Sequence, residues 1–379
     1  MRVGICADIH LGNHKRWGGP VISGLNSRAH LVLDSLSAAL RTARTEHCVR
    51  FLIAGDLVDY ISVEPQMVRA LQKVLADEEM PVYIMRGNHD MVSDADDDHA
   101  LGPLAALSNV TIVERPHVYA LDDGAELVIV PFQPGDARVW LPVELEKIGA
   151  RNGSTKLLAL HLGLIDDLTP AFLRDSHDAI PIPQLSPLLN KYGYGTAVAG
   201  NWHKYRKWQT RAGAHIVQIG ALAPTGFDNP GLTGYGSLLI YDTQKPACLP
   251  ERHVIPGPRF VAVRSQEGID EAIEGAAACD SLFIRWDIGP ELSLKACREH
   301  VTGMVEQEIL AGADVVFDMG DAAAGAREGA SAVAAASTNT GGDDVLAAYV
   351  DSISLPEGIM RESVLAESRR VLTAARSGR

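Results

Sequence analysis

The stretch Asp8-Ile9-His10-Leu11-Gly12 directly follows a short apolar run, and the same arrangement recurs four times further along the chain. Each recurrence sets Asp, Asn or His just behind a run of aliphatic residues: Gly55-Asp56-Leu57-Val58-Asp59, Gly87-Asn88-His89-Asp90, Leu160-His161 and Gly200-Asn201-Trp202-His203. Runs this short and this rich in β-branched residues are typical of buried parallel strands. Because α/β sheets bind ligands at the carboxyl ends of their strands, we expect the five segments to meet.

Carboxylate, amide and imidazole groups gathered in one place suit Mn²⁺, Fe²⁺ or Zn²⁺, and one shared Asp can bridge two ions. Asp8 and His10 lie two residues apart after a strand, so alternation can turn both toward one ion. A single Asp after a strand is more often a helix cap or a turn residue. Five coincident cases favour a metal site instead, and the pattern predicts a two-metal phosphoesterase centre.

In their order, the five motifs resemble those of the calcineurin-like metallophosphoesterase superfamily. Leu11 and Gly12 after the first His make the chain similar to one branch, the SbcD-like DNA repair exonucleases, which work with an SbcC-type coiled-coil ATPase. The resemblance covers residues 1–245 at the level of motifs. It implies an α/β fold, with a β-sandwich flanked by helices, a small α+β capping domain and C-terminal helices.

The resemblance also implies roles for the motif residues. Two divalent ions, Mn²⁺ foremost and Mg²⁺, Fe²⁺ or Zn²⁺ as alternatives, would be held by Asp8, His10, Asp56, Asn88, His161, Asn201 and His203. Asp56 would bridge the two ions. His89 would act as a general acid rather than a ligand, and Asp90 could hold its imidazole. Asp59 is interpreted, like Asp90, as a carboxylate that orients a ligand or a histidine.

One motif departs from the family pattern. The fifth motif is usually Gly-His-x-His, whereas here it is Gly200-Asn201-Trp202-His203, so an amide replaces an imidazole. An Asn carbonyl oxygen can coordinate Mn²⁺ or Mg²⁺, but it is a weaker donor to zinc-like ions. Either the second site survives with a preference for harder ions, or it binds metal weakly and depends on a partner or DNA.

The net charge of −14 is unusual for a DNA enzyme, which is expected to be basic. Two stretches directly after metal motifs are basic instead, and in both of them cations are mixed with aromatic residues. Such mixtures suit phosphate neutralisation and base stacking, while an ordinary solvated loop remains the alternative. The candidate DNA-binding residues in the two stretches are Lys15, Arg16, Trp17, Lys204, Arg206 and Lys207.

Composition and periodicity divide the chain into four parts. We predict a metallophosphoesterase nuclease domain in residues 1–256, a capping domain in 257–319, a flexible linker in 320–342 and partner-binding helices in 343–379. The pattern of residues 259–318 predicts strand, helix, strand, helix and strand. Within the first part, apolar periodicity predicts helices over 27–44 and from Pro65, and hairpin-like strand pairs at 117–121 with 126–130 and at 215–219 with 237–241.

Two apolar stripes beyond residue 343 are each too short to be stable helices alone, which suggests that they dock on a partner. By resemblance that partner is the SbcC-like ATPase; satellite helices packed on the nuclease are the alternative. A homodimer is left open. No apolar run approaches the about 20 residues that span a bilayer, and no basic leader precedes the first strand, so we expect a cytoplasmic protein without membrane contact. The five cysteines show no paired spacing, which argues against a disulfide scaffold.

The leading function is a metal-dependent DNA exo/endonuclease subunit that acts in DNA repair and recombination. A small-molecule phosphodiesterase on the same scaffold is the alternative within the enzymes. A metal-impaired scaffold that regulates an ATPase is the alternative outside them. The capping unit and the basic aromatic stretches argue against the small substrate. The presence of His89 and Asp90 argues against the scaffold, since a scaffold has no use for a general acid.

Overall fold

The apolar runs that precede the five polar motifs all form strands in the computed structural model. The structure describes residues 1–14, 20–59, 63–149, 156–227, 236–246, 248–276, 281–289 and 291–317. The strands in chain order are β1 (Arg2–Cys6), β2 (Val21–Ile22), β3 (Leu25–Asn26), β4 (Cys48–Ala54), β5 (Val82–Met85), β6 (Val110–Val113), β7 (His117–Ala120), β8 (Glu126–Val130), β9 (Lys156–His161), β10 (Gly163–Ile165), β11 (Ala179–Pro181), β12 (Thr196–Gly200), β13 (Arg206–Gln209), β14 (His215–Gln218), β15 (Gly236–Asp242), β16 (Glu251–Ile255), β17 (Pro258–Val263), β18 (Ser281–Ile288) and β19 (Gly312–Phe317). The helices are α1 (Ser27–Thr45), α2 (Pro65–Ala76), α3 (Ala137–Ile148), α4 (Ala171–Arg174), α5 (Ile182–Tyr192), α6 (Gln266–Glu274) and α7 (Leu294–Glu306), with a 3₁₀ helix at Gly102–Ala106.

Two six-stranded sheets carry the motifs. The first has the order β16-β15-β1-β4-β5-β6, in which β1, β4, β5 and β6 are parallel. The second has the order β13-β14-β12-β9-β8-β7, in which β8, β9, β12 and β14 are parallel. In the first sheet β15 and β16 run antiparallel to their neighbours, and in the second sheet the two outer strands β13 and β7 do so. The parallel strands therefore deliver their carboxyl ends to common edges.

The two sheets pack face to face around one apolar core. Val3, Ile5 and Leu52 of the first sheet share this core with Leu127 and Leu157 of the second. Helices α1 and α2 cover the outer face of the first sheet, and α3 and α5 cover that of the second. The result is a β-sandwich flanked by helices, which confirms the predicted α/β fold class.

Local sequence signals explain the predicted helices that are found. Helix α1 begins after Asn26, whose side chain accepts a hydrogen bond from the Ala29 amide, and its stripe of Leu36 and Leu40 is fully buried. Helix α2 begins at Pro65, where the missing amide costs nothing. Strands β7 and β8 form the predicted antiparallel pair.

The second predicted hairpin is wrong. Residues 215–218 and 237–241 do lie in strands, but β14 pairs with β12 and β13 in the second sheet, whereas β15 pairs with β1 and β16 in the first. Strand β15 is almost entirely buried, from Gly236 to Tyr241. A strand of that kind needs neighbours on both edges, and β1 supplies one of them.

A third sheet, β17-β18-β19, carries α6 and α7 and has its own apolar core around Ile269, Ile284 and Val315. The element order is the α+β order predicted for residues 259–318. One compact unit, Met1–Thr169 with Ser176–Val316, includes both six-stranded sheets and the three-stranded sheet as far as Val316, and the domain boundary near residue 256 stays a prediction. Of the described residues, Pro170–Asp175 and Phe317 fall in a second unit.

Several sequence predictions fall on other parts of the chain. The linker in 320–342, the helices in 343–379 and the stretch Lys15, Arg16 and Trp17 lie outside the described residues. Among the described helices, none combines the length and apolar character needed to cross a membrane. The described cysteines, Cys6, Cys48, Cys248 and Cys297, are unpaired with one another.

Candidate metal centre

The predicted ligands sit at the carboxyl ends of strands from both sheets. Asp8 and Asp56 follow β1 and β4 in the first sheet, while His161 ends β9 in the second. The Nδ1 atom of His161 donates to the Ala54 carbonyl across the two sheets, over 2.8 Å. The sandwich therefore brings together side chains that are more than a hundred residues apart in sequence.

The backbone turns sharply at these positions. Asp8, His10, Asp56 and Asn201 all have positive φ angles, of 52°, 48°, 52° and 91°. Non-glycine residues rarely occupy this left-handed region, and strained backbone of this kind is typical of functional sites. These turns follow the ends of β1, β4 and β12, where the predicted ligands lie.

Asp8, His10 and His203 form the first ligand group, with one ligand atom of each within 4.8 Å of the others. His10 Nδ1 donates to Asp59 Oδ1 over 3.0 Å, which leaves the lone pair on Nε2. That Nε2 faces Nε2 of His203 at 2.9 Å. Two ring nitrogens this close require a proton or a metal cation between them.

Asp8, Asp56 and His161 form the second ligand group, again within 4.8 Å. Because His161 Nδ1 is used as a donor, its Nε2 carries the lone pair, and this atom lies 3.0 Å from Asn88 Oδ1 and 3.3 Å from Asp56 Oδ2. All three atoms are acceptors, an arrangement that is complementary to a cation.

The two groups are joined through their carboxylates. Asp56 Oδ2 lies 3.3 Å from His161 Nε2 and 3.7 Å from His10 Nε2, the place that a bridging ligand would occupy. Asp8 belongs to both groups, which the sequence did not indicate. Asp8 Oδ2 and Asp56 Oδ2 are buried without a hydrogen-bond partner. Buried carboxylate oxygens of this kind are costly unless a cation satisfies them, so the residues fit two divalent ions.

The site's charges reinforce this interpretation. Burial raises the pKa of Asp8 to about 6. Burial alone would also raise the pKa of Asp56, but the charge of neighbouring His161 lowers it below its ordinary value. For His161, burial disfavours the charged ring, yet Asp56 raises its pKa to about 9. A proton on Nε2 therefore competes with a metal ion for the lone pair of this ring, so metal affinity should fall as the pH is lowered.

Two motif glycines are required for the close approach of these groups. A Cβ atom at Gly87 would lie 2.1 Å from Asp56 Oδ1, and one at Gly55 would lie 2.0 Å from His161 Nδ1. Gly55 also has φ of 92°, which glycine adopts without strain. The glycines of these motifs make room for a bridging carboxylate and an imidazole.

Asn201 is anchored beside this centre. Its main-chain amide donates to Asp8 Oδ1 over 2.9 Å, and its side-chain Nδ2 donates to Asp178 Oδ2 over 2.9 Å. Asp178 belongs to none of the five motifs, and no feature of the sequence pointed to it. The role of Asn201 as a ligand stays a prediction.

His89 lies at the open side of the site, and its side chain is 43% exposed. Its ring stands edge-on to His10, with 4.7 Å between ring centroids, and its Nδ1 lies 3.5 Å from Asp59 Oδ1. Its main-chain amide donates to Asp56 Oδ1 over 2.9 Å. The ring is therefore close to the ligands and reachable by a substrate.

Asp90 is not the partner of His89, contrary to the prediction from the sequence. Asp90 is fully buried, and its two oxygens accept hydrogen bonds from the main-chain amides of Asp56, Val58 and Gly87. The carboxylate beside the His89 ring is that of Asp59 instead. Asp90 holds the two motif loops together, while Asp59 orients histidines.

We expect Asp90→Ala to lower the free energy of unfolding by about 3 kcal/mol or more. Three buried amides would lose their acceptor, and an unsatisfied buried group costs about 1–3 kcal/mol. Urea unfolding in the presence of a chelator measures the effect without a contribution from bound ions. The exposed residue Asp94 lies on the same segment, and Asp94→Ala is the control expected to change little. Equal stability of the two variants would contradict the role of Asp90 in holding the two motif loops together.

Arg86 is a further residue that the sequence did not single out. It is fully buried in front of Gly87, and its guanidinium donates to the carbonyls of Asp96 and Phe132 over 2.8 and 2.9 Å. It thereby ties the motif loop to two neighbouring segments. Its only sequence signal is a charged residue at the end of an apolar strand.

The second basic stretch is only partly available to a ligand. Lys204 and Lys207 are exposed, but Arg206 forms an ion pair with Asp166 over 2.7 Å. Trp208 donates its ring N–H to the other oxygen of Asp166 over 3.1 Å. Arg206 and Trp208 therefore brace the edge strand β13, and of the three candidate DNA-binding residues in this stretch the two lysines face solvent.

The family of the chain follows from comparison with known proteins. The sequence profile of the calcineurin-like phosphoesterases matches residues 1–217, more than half of the chain. A solved structure from Thermus thermophilus is 11% identical, with a TM-score of 0.42, over 67% of this chain and 98% of that one. A dimetal phosphatase from Danio rerio is 14% identical, with a TM-score of 0.41, over 63% and 91% of the two chains. No curated protein matches. On the extent of the profile match, the chain belongs to the calcineurin-like phosphoesterase family.

Proposed function

We propose that this protein is a nuclease subunit that hydrolyses phosphodiester bonds of DNA in repair and recombination, with Mn²⁺ as the preferred ion. Family membership establishes the coarser part, a metal-dependent phosphoester hydrolase. The observation that supports the catalytic part is the pair of ligand groups that share Asp8, with Asp56 between them. The exposed ring of His89 beside them is accessible to a phosphodiester.

The chain's own residues define what happens at the centre. Divalent ions, when bound, supply charge neutralisation at the phosphate and activation of a water molecule. Asp59 and the Ala54 carbonyl hold His10 and His161 by Nδ1, so that each ring keeps its Nε2 lone pair toward the centre. His89 belongs to neither of the two ligand groups that share Asp8, and it is placed to give a proton to the leaving oxygen.

The choice of DNA over a small ester rests on the surface beside the centre. Lys204 and Lys207 offer two exposed cations beside the His203 motif, which suits a phosphate backbone. The ion pair of Arg206 with Asp166 removes one cation from this surface and favours the second candidate, a small phosphodiester. The proposed partner, an SbcC-like coiled-coil ATPase, would dock on residues 343–379, which co-purification of the full chain with such an ATPase tests.

Purified protein assayed with Mn²⁺ on labelled linear DNA and on an aryl phosphodiester separates these functions. The proposal requires metal-dependent cleavage of DNA that disappears with a chelator. Cleavage of the aryl ester alone would favour the small-molecule phosphodiesterase. No hydrolysis of either substrate, despite bound metal, would favour the scaffold.

Charge reversal of both Lys204 and Lys207 to Glu should weaken DNA binding and reduce its salt dependence by about two released counterions. Hydrolysis of the aryl ester should stay unchanged, because neither side chain is among the proposed ligands. DNA affinity measured across a salt series gives the result. The control is Arg69→Glu with Lys73→Glu, which makes the same charge change on exposed positions of α2. Equal weakening by both pairs would assign the effect to net charge alone.

A further inference from the structure

Asp178, which precedes β11, reaches the side chain of Asn201. The Nδ2 atom of Asn201 donates to Asp178 Oδ2 over 2.9 Å, and the main-chain oxygen of Asp178 lies 3.5 Å from the same atom. Asp178 is itself held in place, because Ser176 Oγ donates to Oδ1 and the Gly163 amide donates to its main-chain oxygen over 2.8 Å. The acceptor that faces the amide is therefore fixed.

This contact determines how the amide of Asn201 is turned. An ionised carboxylate only accepts hydrogen bonds, so the Asn201 side chain must point its NH₂ group toward Asp178. The side-chain carbonyl oxygen of Asn201 therefore points away from Asp178, and it accepts no hydrogen bond from the described part of the chain. At its main chain, Asn201 donates to Asp8, which belongs to both ligand groups. The residue is thus tied to the centre at one end and oriented by Asp178 at the other.

We propose that Asp178 is a positioning residue that presents the carbonyl oxygen of Asn201 to the second metal ion. Metal-binding histidines are commonly oriented by a carboxylate that accepts their second N–H. Here the NH₂ group of the amide takes the place of that ring N–H. Without Asp178 the amide can flip and turn its NH₂ group, a donor, toward a cation. Asp178 therefore sets both the affinity of the second site and its preference for oxygen-seeking ions such as Mn²⁺.

The inference rests on the proposed two-metal centre, and metal binding without substrate tests it. Calorimetric titration of the full chain with Mn²⁺, together with the electron paramagnetic resonance signal of a coupled Mn²⁺ pair, reports both sites. Asp178→Ala should weaken binding of the second Mn²⁺ ion by about tenfold or more, while the affinity for the first ion stays as before. Asp178→Asn keeps an acceptor oxygen, so its affinity for the second ion should stay within about threefold of that of the original chain. Asp175→Ala, which removes an exposed carboxylate from the same segment, should change neither site.

A double-mutant cycle distinguishes positioning from a general effect on the fold. Asn201→Ala alone should weaken binding of the second ion. Adding Asp178→Ala should weaken that binding no further, because the two residues act as one unit. If Asp178→Ala does not fold, Asp178→Ser keeps a polar side chain but is one bond too short to reach the amide, and it should give the same loss of affinity for the second ion.

The different failures are distinguishable. An original chain that binds fewer than two ions would overturn the metal centre itself. Two ions bound with equal affinity in the original chain and in Asp178→Ala would overturn only the role of Asp178. Additive losses in the cycle, or an equal loss in Asp178→Asn, would also overturn it.

Discussion

Asp56→Ala should lower phosphodiester hydrolysis by about 10³-fold or more and reduce the bound metal. The carboxylate is almost wholly buried, and its Oδ2 lies 3.3 Å from His161 Nε2 and 3.7 Å from His10 Nε2. Its removal therefore withdraws a negative charge from between the histidines of both ligand groups. Charge stabilisation by bound ions contributes several kcal/mol, and each 1.36 kcal/mol is a factor of ten in rate.

Two measurements check this expectation, the rate on DNA with Mn²⁺ and the metal content of the purified protein. Asp56→Asn is the sharper variant, because it keeps the shape and an acceptor for the His89 amide while removing the charge. Asp34→Ala, on the exposed side of α1, is the control for loss of a carboxylate. Full cleavage by Asp56→Ala, or by chelated protein, would remove the basis for a two-metal reaction.

The sequence was sufficient to predict where the ligands lie along the chain. Apolar runs such as Val82–Met85 are local signals, and they predict strands whose ends are the positions of Asp8, Asp56 and His161. The flanking helices were equally accessible, since apolar periodicity predicts the first and a proline at residue 65 marks the start of the second. Local patterns of this kind need no knowledge of distant partners.

The contacts between distant segments could not be predicted in this way. Asp178 and Arg86 act through hydrogen bonds to Asn201 and to the carbonyls of other loops, and no spacing in the sequence announces such pairs. The pairing of β15 with β1 joins the two ends of the two-sheet sandwich, so the apparent hairpin with β14 was misleading. Which atoms face one another depends on the closed sandwich.

Neighbouring residues also take opposite roles. His89 and Asp90 are adjacent in sequence, yet the His89 side chain is 43% exposed and Asp90 is fully buried. Hydrogen bonds from three main-chain amides hold Asp90 inward, and sequence motifs alone carry no information about the direction of a side chain. Asp59, three residues beyond Asp56, consequently occupies the place that the motif suggested for Asp90.

His89→Leu should keep both ions bound and lower the rate on DNA by about 10²–10⁴-fold, the usual contribution of a general acid. His89 also lies within 4.8 Å of His10 and Asp59 through ligand atoms, so it could instead be a ligand. Its large exposure favours the acid, because a ligand at this centre is expected to be buried like His161. Metal content measured beside the rate separates the two roles.

The leaving group gives a second, independent test of His89. DNA leaves as an alkoxide that needs a proton, whereas an aryl phosphodiester leaves as a phenolate that is stable without one. His89→Leu should therefore impair DNA cleavage much more than hydrolysis of the aryl ester. The ratio of the two rates is unaffected by partial loss of folded protein, which makes it a clean readout. Equal loss on both substrates, with metal content falling in step, would identify His89 as a ligand and leave the proton donor to another group.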